Sequence, residues 1–211
     1  MDMFGDPATN PKGWPVKLLG DLAADEKYAI KAGPFGSALK KEMYVPSGYK
    51  IYGQEQVIRD DLTYGDYYIG EKKFRELSSC RIQPHDLLIS LVGTFGKISV
   101  VPEKFEQGII NPRLMKITLD RSQVLPRFMK GLLSSYAMRC RIEERSHGGT
   151  MSIVNVGIMK SLEIYVPPLE LQNRFCFHTE AMASIQSQQS VAISKSLATF
   201  EALLGRVFHI A

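Results

Sequence analysis

The final fifth of the chain carries one long helical pattern, which constrains the fold more than any other feature. After Pro168 no proline or glycine occurs until Gly205, and apolar residues recur at spacings of three and four. A helix of roughly 40 residues would reach about 60 Å at 1.5 Å per residue. A domain of this size does not need such a length for its own core. The pattern therefore predicts a helix that packs against something outside its own globule.

The apolar residues of this helix keep the spacing of a coiled-coil seam. His178 and Gln189 occupy two seam positions, and steps of four residues after Gln189 predict a stutter that locally unwinds a supercoil. The alternative is a helix that lies along its own domain, but the seam extends beyond what the domain can cover. We expect helix pairing through Phe175, Met182, Ile185, Ile193, Leu197, Phe200, Leu204 and Val207.

The charge of the 211-residue chain is unevenly distributed. The formal net charge is +4, and in the helical segment three basic residues balance three acidic ones. The positive excess therefore lies entirely in the part that precedes the helix. Mild basicity permits nucleic-acid binding without requiring it. A polyanionic partner would have to bind the globular part.

Cysteine usage and hydropathy bound the class of protein. The three cysteines are widely spaced and no CxxC pair occurs, which favours neither a disulfide framework nor a zinc site and indicates a reducing compartment. The N-terminus lacks the apolar core of a signal peptide, and no apolar run reaches membrane-spanning length. These features predict a cytoplasmic protein with no membrane span and no metal site.

The segment before the helix has the pattern of short strands separated by turns. Residues 1–14 are rich in turn sequences and are expected to form a linker. From residue 16 to about residue 118, short apolar or alternating runs are broken by glycine, proline and aspartate, as in a twisted sheet or a partly closed barrel. The runs expected to form strands are 29–30, 49–52, 67–69, 87–91, 98–101 and 114–117.

Helical patterns follow the strand region. Pro126 opens a helix where its missing N–H costs least, and Gly148-Gly149 ends that helix. Asn155 is expected to cap a short helix that reaches Met159, and residues 163–166 form a final strand. The chain is thus predicted to be an α/β (α+β) protein. A globular domain with short helices occupies residues 15–167, and one long coiled-coil-type helix occupies residues 168–211.

No constellation of residues in the sequence indicates catalysis. Gly33-Pro34-Phe35-Gly36-Ser37 lacks the GK[ST] ending of a phosphate loop, and Gly93-Thr94-Phe95-Gly96-Lys97 falls short of a dinucleotide-binding motif. Two tight turns that need positive φ explain these glycines equally well. Asn111-Pro112-Arg113 is similar to the Asn-Pro-Pro-aromatic motif of adenine methyltransferases, but Arg113 replaces the second proline. A domain of this kind is more often a binding module than an enzyme.

Polar residues near the predicted turns suit DNA binding, although for any one of them a solvated surface role is as common. Lysine, arginine and the polar residues of glycine-rich loops can contact phosphates. Glutamine and asparagine can pair with adenine, and arginine with guanine. The phosphate-contact candidates are Lys31, Ser37, Lys40, Lys41, Arg59, Thr94, Lys97 and Arg145, and the base-contact candidates are Gln54, Gln56, Asn111, Arg113, His147 and Thr150.

Taken together, short motifs in the chain resemble the DNA-sequence specificity subunit of type I restriction-modification systems. Each motif is short, and it is their order and spacing over nearly the whole chain that make the resemblance specific. The motifs are Trp14-Pro15-Val16-Lys17-Leu18-Leu19-Gly20-Asp21, Gly33-Pro34-Phe35-Gly36-Ser37, Gly70, Asp86-Leu87-Leu88-Ile89-Ser90, Gly93-Thr94-Phe95-Gly96, Gly148-Gly149-Thr150-Met151, Pro167-Pro168-Leu169-Glu170-Leu171-Gln172 and Lys195-Ser196-Leu197.

The resemblance implies a target recognition domain at residues 15–167, followed by a spacer or dimerisation helix. Family members normally alternate two such domains with two long helices, so this chain resembles a half subunit or the second half of a longer one. Residues 3–11 are similar to the joint after a family member's central helix, which favours a second half.

By the same resemblance, the domain reads one half of a split double-stranded DNA target. The helix sets the gap and docks modification subunits, which hold S-adenosylmethionine and methylate adenine, and a restriction subunit joins for cleavage. The chain itself is expected to bind no cofactor and to catalyse nothing. Its helix would pair with a second copy, as a homodimer, or with another half. The alternatives are a scaffold that docks methyltransferase subunits without reading sequence and, less favoured because methylase motifs are missing, a DNA-modifying enzyme.

Overall fold

The computed structural model describes residues 3–5, 9–91, 96–146 and 154–208 of the chain. The chain divides into two compact units, residues 1–172 and 173–211. The first is a mixed α/β unit, and the second is the greater part of one long helix. The predicted order of fold elements, a globular α/β part followed by a long helix, is confirmed.

The described residues form short strands and six α-helices. The strands are β1 (Val16–Leu18), β2 (Ile30–Ala32), β3 (Tyr44–Val45), β4 (Tyr49–Tyr52), β5 (Tyr68–Ile69), β6 (Leu87–Ser90), β7 (Ile98–Val100), β8 (Gly108–Ile110), β9 (Leu114–Ile117) and β10 (Glu163–Tyr165). The helices are α1 (Gln54–Arg59), α2 (Glu71–Glu76), α3 (Pro126–Leu133), α4 (Tyr136–Ser146), α5 (Val156–Lys160) and α6 (Leu169–Phe208). Single 3-10 turns lie at Leu19–Leu22, Gly36–Ala38, Lys41–Met43 and Ser78–Cys80.

The strands make two four-stranded sheets and one two-stranded ribbon. The first sheet has the order β2-β9-β6-β7 and is antiparallel throughout. The second has the order β3-β5-β4-β8 and is antiparallel except for the parallel pair β4 and β8. Strands β1 and β10 form the ribbon. The sheets of the described residues do not close into a barrel, so of the two predicted forms the open sheet is the one observed.

One apolar core joins the two sheets. Tyr52, Ile69 and Ile109 of the second sheet belong to the same buried cluster as Leu88 and Leu114 of the first, and all five are fully buried. Burying a side chain of this size contributes about 1.5–3 kcal/mol. The shared core fixes the two sheets against each other, and therefore fixes the loops at their strand ends.

The predicted helix from Pro126 to Gly148 is observed as two helices, α3 and α4. The break lies at Ser134 and Ser135, and the Ser135 hydroxyl accepts a hydrogen bond from the Met138 N–H at 3.3 Å. Serine favours such positions over helix interiors because its hydroxyl bonds to nearby backbone groups. The predicted cap of α5 is confirmed, since the Asn155 side-chain oxygen accepts a hydrogen bond from the Ile158 N–H at 3.0 Å.

Two short helices lie where the sequence predicts only strands and turns. Helices α1 and α2 have six residues each. So short a segment covers fewer than two helical turns and shows no clear apolar period. The sequence pattern therefore detects the neighbouring strands but not these helices.

The segment predicted to be a linker is attached to the globular unit. The Phe4 ring meets the Phe128 ring edge-on, with 5.2 Å between ring centroids. The Trp14 indole N–H donates a hydrogen bond to the Phe4 carbonyl oxygen at 3.1 Å, and the Asn10 side-chain oxygen accepts one from the Trp14 N–H at 2.9 Å. The described residues before β1 thus contribute to the globular unit.

The first turn of α6 also belongs to the globular unit. Gln172 is fully buried, and its side-chain oxygen accepts a hydrogen bond from the Leu125 N–H at 2.8 Å. Its amide group donates to the carbonyl oxygens of Gln123 at 3.1 Å and Pro167 at 2.8 Å. These bonds hold the beginning of the helix, and the compact unit ends at Gln172, five residues after the predicted domain end.

Helix α6 has 40 residues, as predicted from a sequence with no proline or glycine before Gly205. Beyond the globular unit its large apolar side chains are exposed, including Met182 at 62%, Leu197 at 56% and Phe200 at 59%. Phe175 is half-buried. Within this chain, the predicted seam is therefore a row of uncovered apolar residues.

Candidate nucleic-acid interface

Several loops of the globular unit emerge along one edge of the two sheets. The antiparallel order of the first sheet places the ends of β2 and β6 beside the beginnings of β9 and β7. Strands β4 and β8 are parallel, so their ends lie together, and only three residues separate β8 from β9. We call this the loop edge. Its described residues are 33–37, 53–54, 91, 96–97 and 111–113.

The loop edge is held together by close backbone contacts. The Gly33 N–H donates a hydrogen bond to the Leu114 carbonyl oxygen at 2.8 Å, and a Cβ at Gly33 would lie 1.8 Å from the Asn111 carbonyl oxygen. A Cβ at Gly53 would lie 2.8 Å from the Asn111 side-chain nitrogen. At Gly33 only glycine permits the approach, because the neighbouring atoms are backbone, and each contact joins two loops that are distant in sequence. The loops therefore form one fixed surface.

Asn111 and Arg113 share a tight turn in this surface. The Asn111 side-chain oxygen accepts a hydrogen bond from the Arg113 N–H at 2.9 Å, and the Arg113 carbonyl oxygen accepts one from the Leu91 N–H at 3.0 Å. The turn fixes the backbone of Arg113 and leaves its side chain exposed. Among the described residues Arg113 forms no ion pair, so its guanidinium group is available to a ligand.

The loop edge gathers five of the residues that the sequence nominates for DNA contact: Ser37, Gln54, Lys97, Asn111 and Arg113. The Gln54 amide group donates a hydrogen bond to the buried Ser90 hydroxyl at 2.7 Å, which orients this half-buried side chain. Lys40 and Lys41 are exposed at the 3-10 turn that follows the first loop. Residues from separate loops of the chain thus lie on one surface.

Three other candidates lie outside these loops and contact other residues of the fold. Lys31 lies within β2, and its ammonium group is 5.5 Å from the centre of the Tyr28 ring. The Arg59 guanidinium stacks on the Tyr64 ring at 4.2 Å. Arg145, near the end of α4, donates a hydrogen bond to the Ser161 carbonyl oxygen at 2.7 Å. The remaining candidates, Thr94, His147 and Thr150, lie outside the described residues.

Gln56 is a correction to the candidate set. Its side chain is 2% exposed; the side-chain oxygen accepts a hydrogen bond from the Gly53 N–H at 2.9 Å, and the amide group donates to the Tyr64 carbonyl oxygen at 3.1 Å. Glutamine at this position of a first turn satisfies a backbone donor that the helix leaves free. Gln56 thus caps α1 and offers no free group to a base.

Sequence reasoning missed three exposed or half-exposed side chains near this surface. Phe35 is 89% exposed in the first loop, and Lys130 and Arg139 lie with Lys97 along one cleft. The two basic residues belong to α3 and α4, where the sequence pattern was informative only for the buried face. The positions of these charged residues on the polar side of each helix could have been read from the sequence. That pattern does not show which side of the domain the residues face.

The buried charges of the globular unit have partners within the fold. Lys50 is 1% exposed and donates to a Glu106 carboxylate oxygen at 2.7 Å and to the Thr63 carbonyl oxygen at 2.8 Å. The hydrogen bond from Lys50 holds the pKa of Glu106 below its usual value. Asp86 is fully buried, and burial raises its pKa, against the attraction of the Lys116 ammonium group 3.7 Å away. These pairs have partners within the fold and need no ligand.

The described part of the chain contains neither a candidate metal-binding cluster nor a candidate membrane-spanning helix. No group of three or more potential metal-ligating side chains occurs there. None of the helices in that part is both long enough and apolar enough to cross a bilayer.

Comparison with known proteins places this architecture in a family. Residues 11–176 match the family described as Type I restriction modification DNA specificity domain. None of the curated protein sequences matches the chain.

Three solved structures have a similar fold at low sequence identity. One comes from work on complex assembly and conformational transition of the type I R-M system, with a TM-score of 0.63 and 20% identity over 98% of this chain and 46% of that one. The second is the HsdS subunit from Thermoanaerobacter tengcongensis, with a TM-score of 0.61 and 17% identity over 93% and 48%. The third is the type I restriction-modification S subunit from M. genitalium, with a TM-score of 0.52 and 14% identity over 92% and 45%.

This chain spans about half the length of the solved chains that it matches. The fold similarity extends into the long helix, because more than nine-tenths of the present chain is covered in each case. The family match covers most of the globular unit. The chain therefore belongs to the family of type I restriction-modification DNA specificity domains.

Proposed function

We propose that this chain reads one half of a split double-stranded DNA target as the specificity component of a type I restriction-modification system. The observation that carries the proposal is the loop edge, where Gln54, Asn111 and Arg113 lie on a common surface formed by loops in close backbone contact. Amide and guanidinium groups are the side chains that recognise base edges in the major groove. Lys97, Lys40 and Lys41 supply phosphate contacts around them.

The similarity to solved chains supports the half-target assignment. It contains one globular unit and one long helix, and it corresponds to about half of each similar solved chain. A second recognition unit would then be supplied by a second copy or by another half, joined through the seam of α6. The exposed apolar residues of that seam support pairing, since they gain burial only from a partner.

The same proposal assigns the chemistry to other subunits. Modification subunits would dock on this chain, hold S-adenosylmethionine and methylate adenine, and a restriction subunit would join them for cleavage. The present chain would position them on DNA in the cytoplasm and would itself bind no cofactor. The sequence motifs of a methyltransferase are absent from the chain, in keeping with this division of labour.

A second function is favoured by the exposed seam alone. A scaffold that docks methyltransferase subunits needs the helix, but it does not need a polar loop edge. The two functions differ in whether the globular unit selects a DNA sequence. A binding-site selection with the purified chain and random duplex DNA distinguishes them, because a scaffold returns no enriched sequence.

The sharpest version of that experiment compares two arginines. Arg113→Ala removes a side chain of the loop edge, while Arg121→Ala removes an exposed arginine beyond the opposite end of β9. We expect Arg113→Ala to lose selectivity at one base position, by about 1–3 kcal/mol, without a change in melting temperature. Arg121→Ala should retain the wild-type motif. A lower melting temperature with an unchanged motif in Arg113→Ala would assign that residue to the fold instead.

A further inference from the structure

A cleft of about 320 Å³ opens beside the loop edge, between α1, the beginning of β7 and helices α3 and α4. Three basic side chains line it, namely Lys97, Lys130 and Arg139, and Asp60 is the one carboxylate among its lining residues. The cleft therefore carries an excess of two positive charges. Since β7 begins at the loop edge, the cleft continues the surface on which Gln54 and Arg113 lie.

Contacts within the fold bring two of these bases to the mouth of the cleft. Gly96 has φ +89°, in the left-handed region that favours glycine, and a Cβ there would lie 2.8 Å from the Arg139 Cδ atom. The backbone of Gly96 thus lies against the aliphatic part of Arg139, directly beside Lys97. Both basic residues are exposed, and in the described part of the chain neither forms an ion pair.

The third base is held by a fixed carboxylate. Lys130 donates a hydrogen bond to one Asp60 carboxylate oxygen at 2.5 Å, and the Ser99 hydroxyl donates to the other at 2.7 Å. Asp60 ends α1 in the left-handed conformation, with φ 54°. Both oxygens of the one acid are therefore occupied by the fold. Asp60 fixes Lys130 in the wall of the cleft and leaves the charges of Lys97 and Arg139 uncompensated.

We propose that this cleft binds a backbone phosphate of the DNA that lies next to the bases read at the loop edge. The inference rests on the proposed function. A phosphodiester is an anion with several acceptor oxygens, and arginine and lysine are the side chains that match it. Lys97 and Arg139 bind the phosphate oxygens, and Lys130 adds positive charge from a fixed position. Such a contact sets the register of the domain on the duplex without reading sequence.

The first test compares two double variants of the full chain that remove equal charge. Lys97→Ala with Arg139→Ala removes the two uncompensated bases of the cleft. Lys104→Ala with Arg121→Ala removes two exposed bases beyond the opposite ends of β7 and β9. The salt dependence of duplex binding is measured for both. We expect the cleft variant to lower the slope of log K against log salt by about two, and the control variant to leave it unchanged.

The second test locates the phosphate. Duplexes of the selected sequence each carry one neutral methylphosphonate linkage, placed in turn at every backbone position. In the wild type, the linkage at one position beside the recognised bases should weaken binding. In the cleft variant, that same linkage should have no further effect, because the contact is already lost. Melting temperatures of all variants are expected to match the wild type, since the removed groups are exposed and unpaired in the described structure.

The outcomes separate the two proposals. A wild-type chain that binds no duplex overturns the proposed function, and the cleft assignment with it. A wild type that selects a sequence, with an unchanged salt slope in the cleft variant, overturns the cleft assignment alone. An equal decrease of the salt slope in the cleft and control variants also overturns it, because that result indicates an effect of net charge. Methylphosphonate effects that all persist in the cleft variant overturn it as well, because they place the phosphate contact elsewhere.

Discussion

The two units of the chain differ in what they do with their apolar side chains. In the globular unit Leu88, Ile109 and Leu114 are fully buried, whereas Leu197 and Phe200 of α6 are more than half exposed. Burial of one such side chain contributes about 1.5–3 kcal/mol. The globular unit thus obtains this stabilisation from its own fold, while the helix can obtain it only from a partner. We therefore expect folding of the first unit to be separable from the proposed pairing of the second.

The units also differ in charge. Helix α6 has equal numbers of acidic and basic residues, so the net charge of +4 belongs to the rest of the chain. DNA affinity should accordingly respond to substitutions in the globular unit, and association should respond to substitutions in the helix. A variant that changes DNA affinity but not association, or the reverse, would support this division between the two units. A variant that changes both would contradict it.

The largest effect is expected at Gly33, whose backbone joins two loops of the loop edge. In Gly33→Ala the new Cβ meets a backbone carbonyl oxygen at 1.8 Å, a clash that no side-chain rotation relieves. We expect a loss of about 3 kcal/mol of unfolding free energy, which lowers Tm by roughly 6–12 °C, together with weaker DNA selection.

Gly36→Ala in the same loop is the matched control. A Cβ at Gly36 would meet nothing within 4 Å, and the backbone there has no positive φ. Its Tm should be unchanged or slightly raised, because alanine reduces the entropy of the unfolded chain. Calorimetry of both variants checks the pair. Equal melting temperatures would show that the contact between the two loops adapts to a methyl group.

The next effect concerns the helix. If the seam pairs, Leu197→Asp replaces a buried apolar side chain with a charge, and self-association should weaken by about 10–100-fold or more. Ser187→Asp adds the same charge two residues after Ile185, on roughly the opposite side of the helix. It should leave association unchanged. Sedimentation equilibrium measures both, and thermal unfolding of the globular unit should be the same in each variant.

Two results would contradict seam pairing between copies. One is a wild-type chain that remains monomeric at micromolar concentration. The other is an equal loss of association in Leu197→Asp and Ser187→Asp. In the first case a different chain would remain as the partner, and mixing with the modification subunit would test it.

The sequence predicted most strands and the long helix because these elements have strong local signals. Residues 87–91 and 114–117 are mainly apolar, with one polar residue in each run, and they form the buried inner strands β6 and β9. The absence of proline, and of glycine before Gly205, predicts α6 equally well. In contrast, the break between α3 and α4 depends on one serine cap, which a repeating apolar pattern does not show.

The candidate site was predictable only in part. Glycine-rich and polar loops identify residues such as Asn111 and Arg113. Their proximity to Gln54 depends on the parallel pairing of β4 and β8, two strands that are far apart in sequence. The hydrogen bonds of the buried Gln56 side chain to Gly53 and Tyr64 were equally invisible to a pattern of polar residue types. Lys130 and Arg139 became visible as cleft residues only once the orientation of α3 and α4 was known.

A smaller effect is expected from Glu106→Gln. This variant tests whether an ion pair in the globular unit makes its free energy of unfolding depend on pH. The hydrogen bond from buried Lys50 lowers the pKa of Glu106 in the folded state. A lowered folded pKa gives stability that is present above the unfolded value and is lost as pH falls through the folded value. We expect Glu106→Gln to cost about 1 kcal/mol at neutral pH, a modest figure because the Glu106 side chain is 52% exposed.

The difference between wild type and Glu106→Gln should close as the pH is lowered below the ordinary glutamate range. Glu42→Gln, at an exposed residue without an ion pair in the described structure, is the control and should match wild type at every pH. Urea unfolding across a pH series measures both variants. If the difference in unfolding free energy between Glu106→Gln and wild type stays constant down to acid pH, the negative charge of Glu106 does not contribute to stability.

The smallest effect is expected from Lys40→Ala with Lys41→Ala, two exposed lysines beside the first loop of the loop edge. Phosphate contacts carry no sequence information, so all duplexes should be bound more weakly by the same factor. The salt slope should fall by roughly one for each lost contact. The control, Lys195→Ala with Arg206→Ala, removes two positive charges from α6 and should leave the slope unaltered. An unaltered slope in the Lys40 and Lys41 variant would place this segment away from DNA, and an equal decrease in the control would mean that affinity follows the charge of both units.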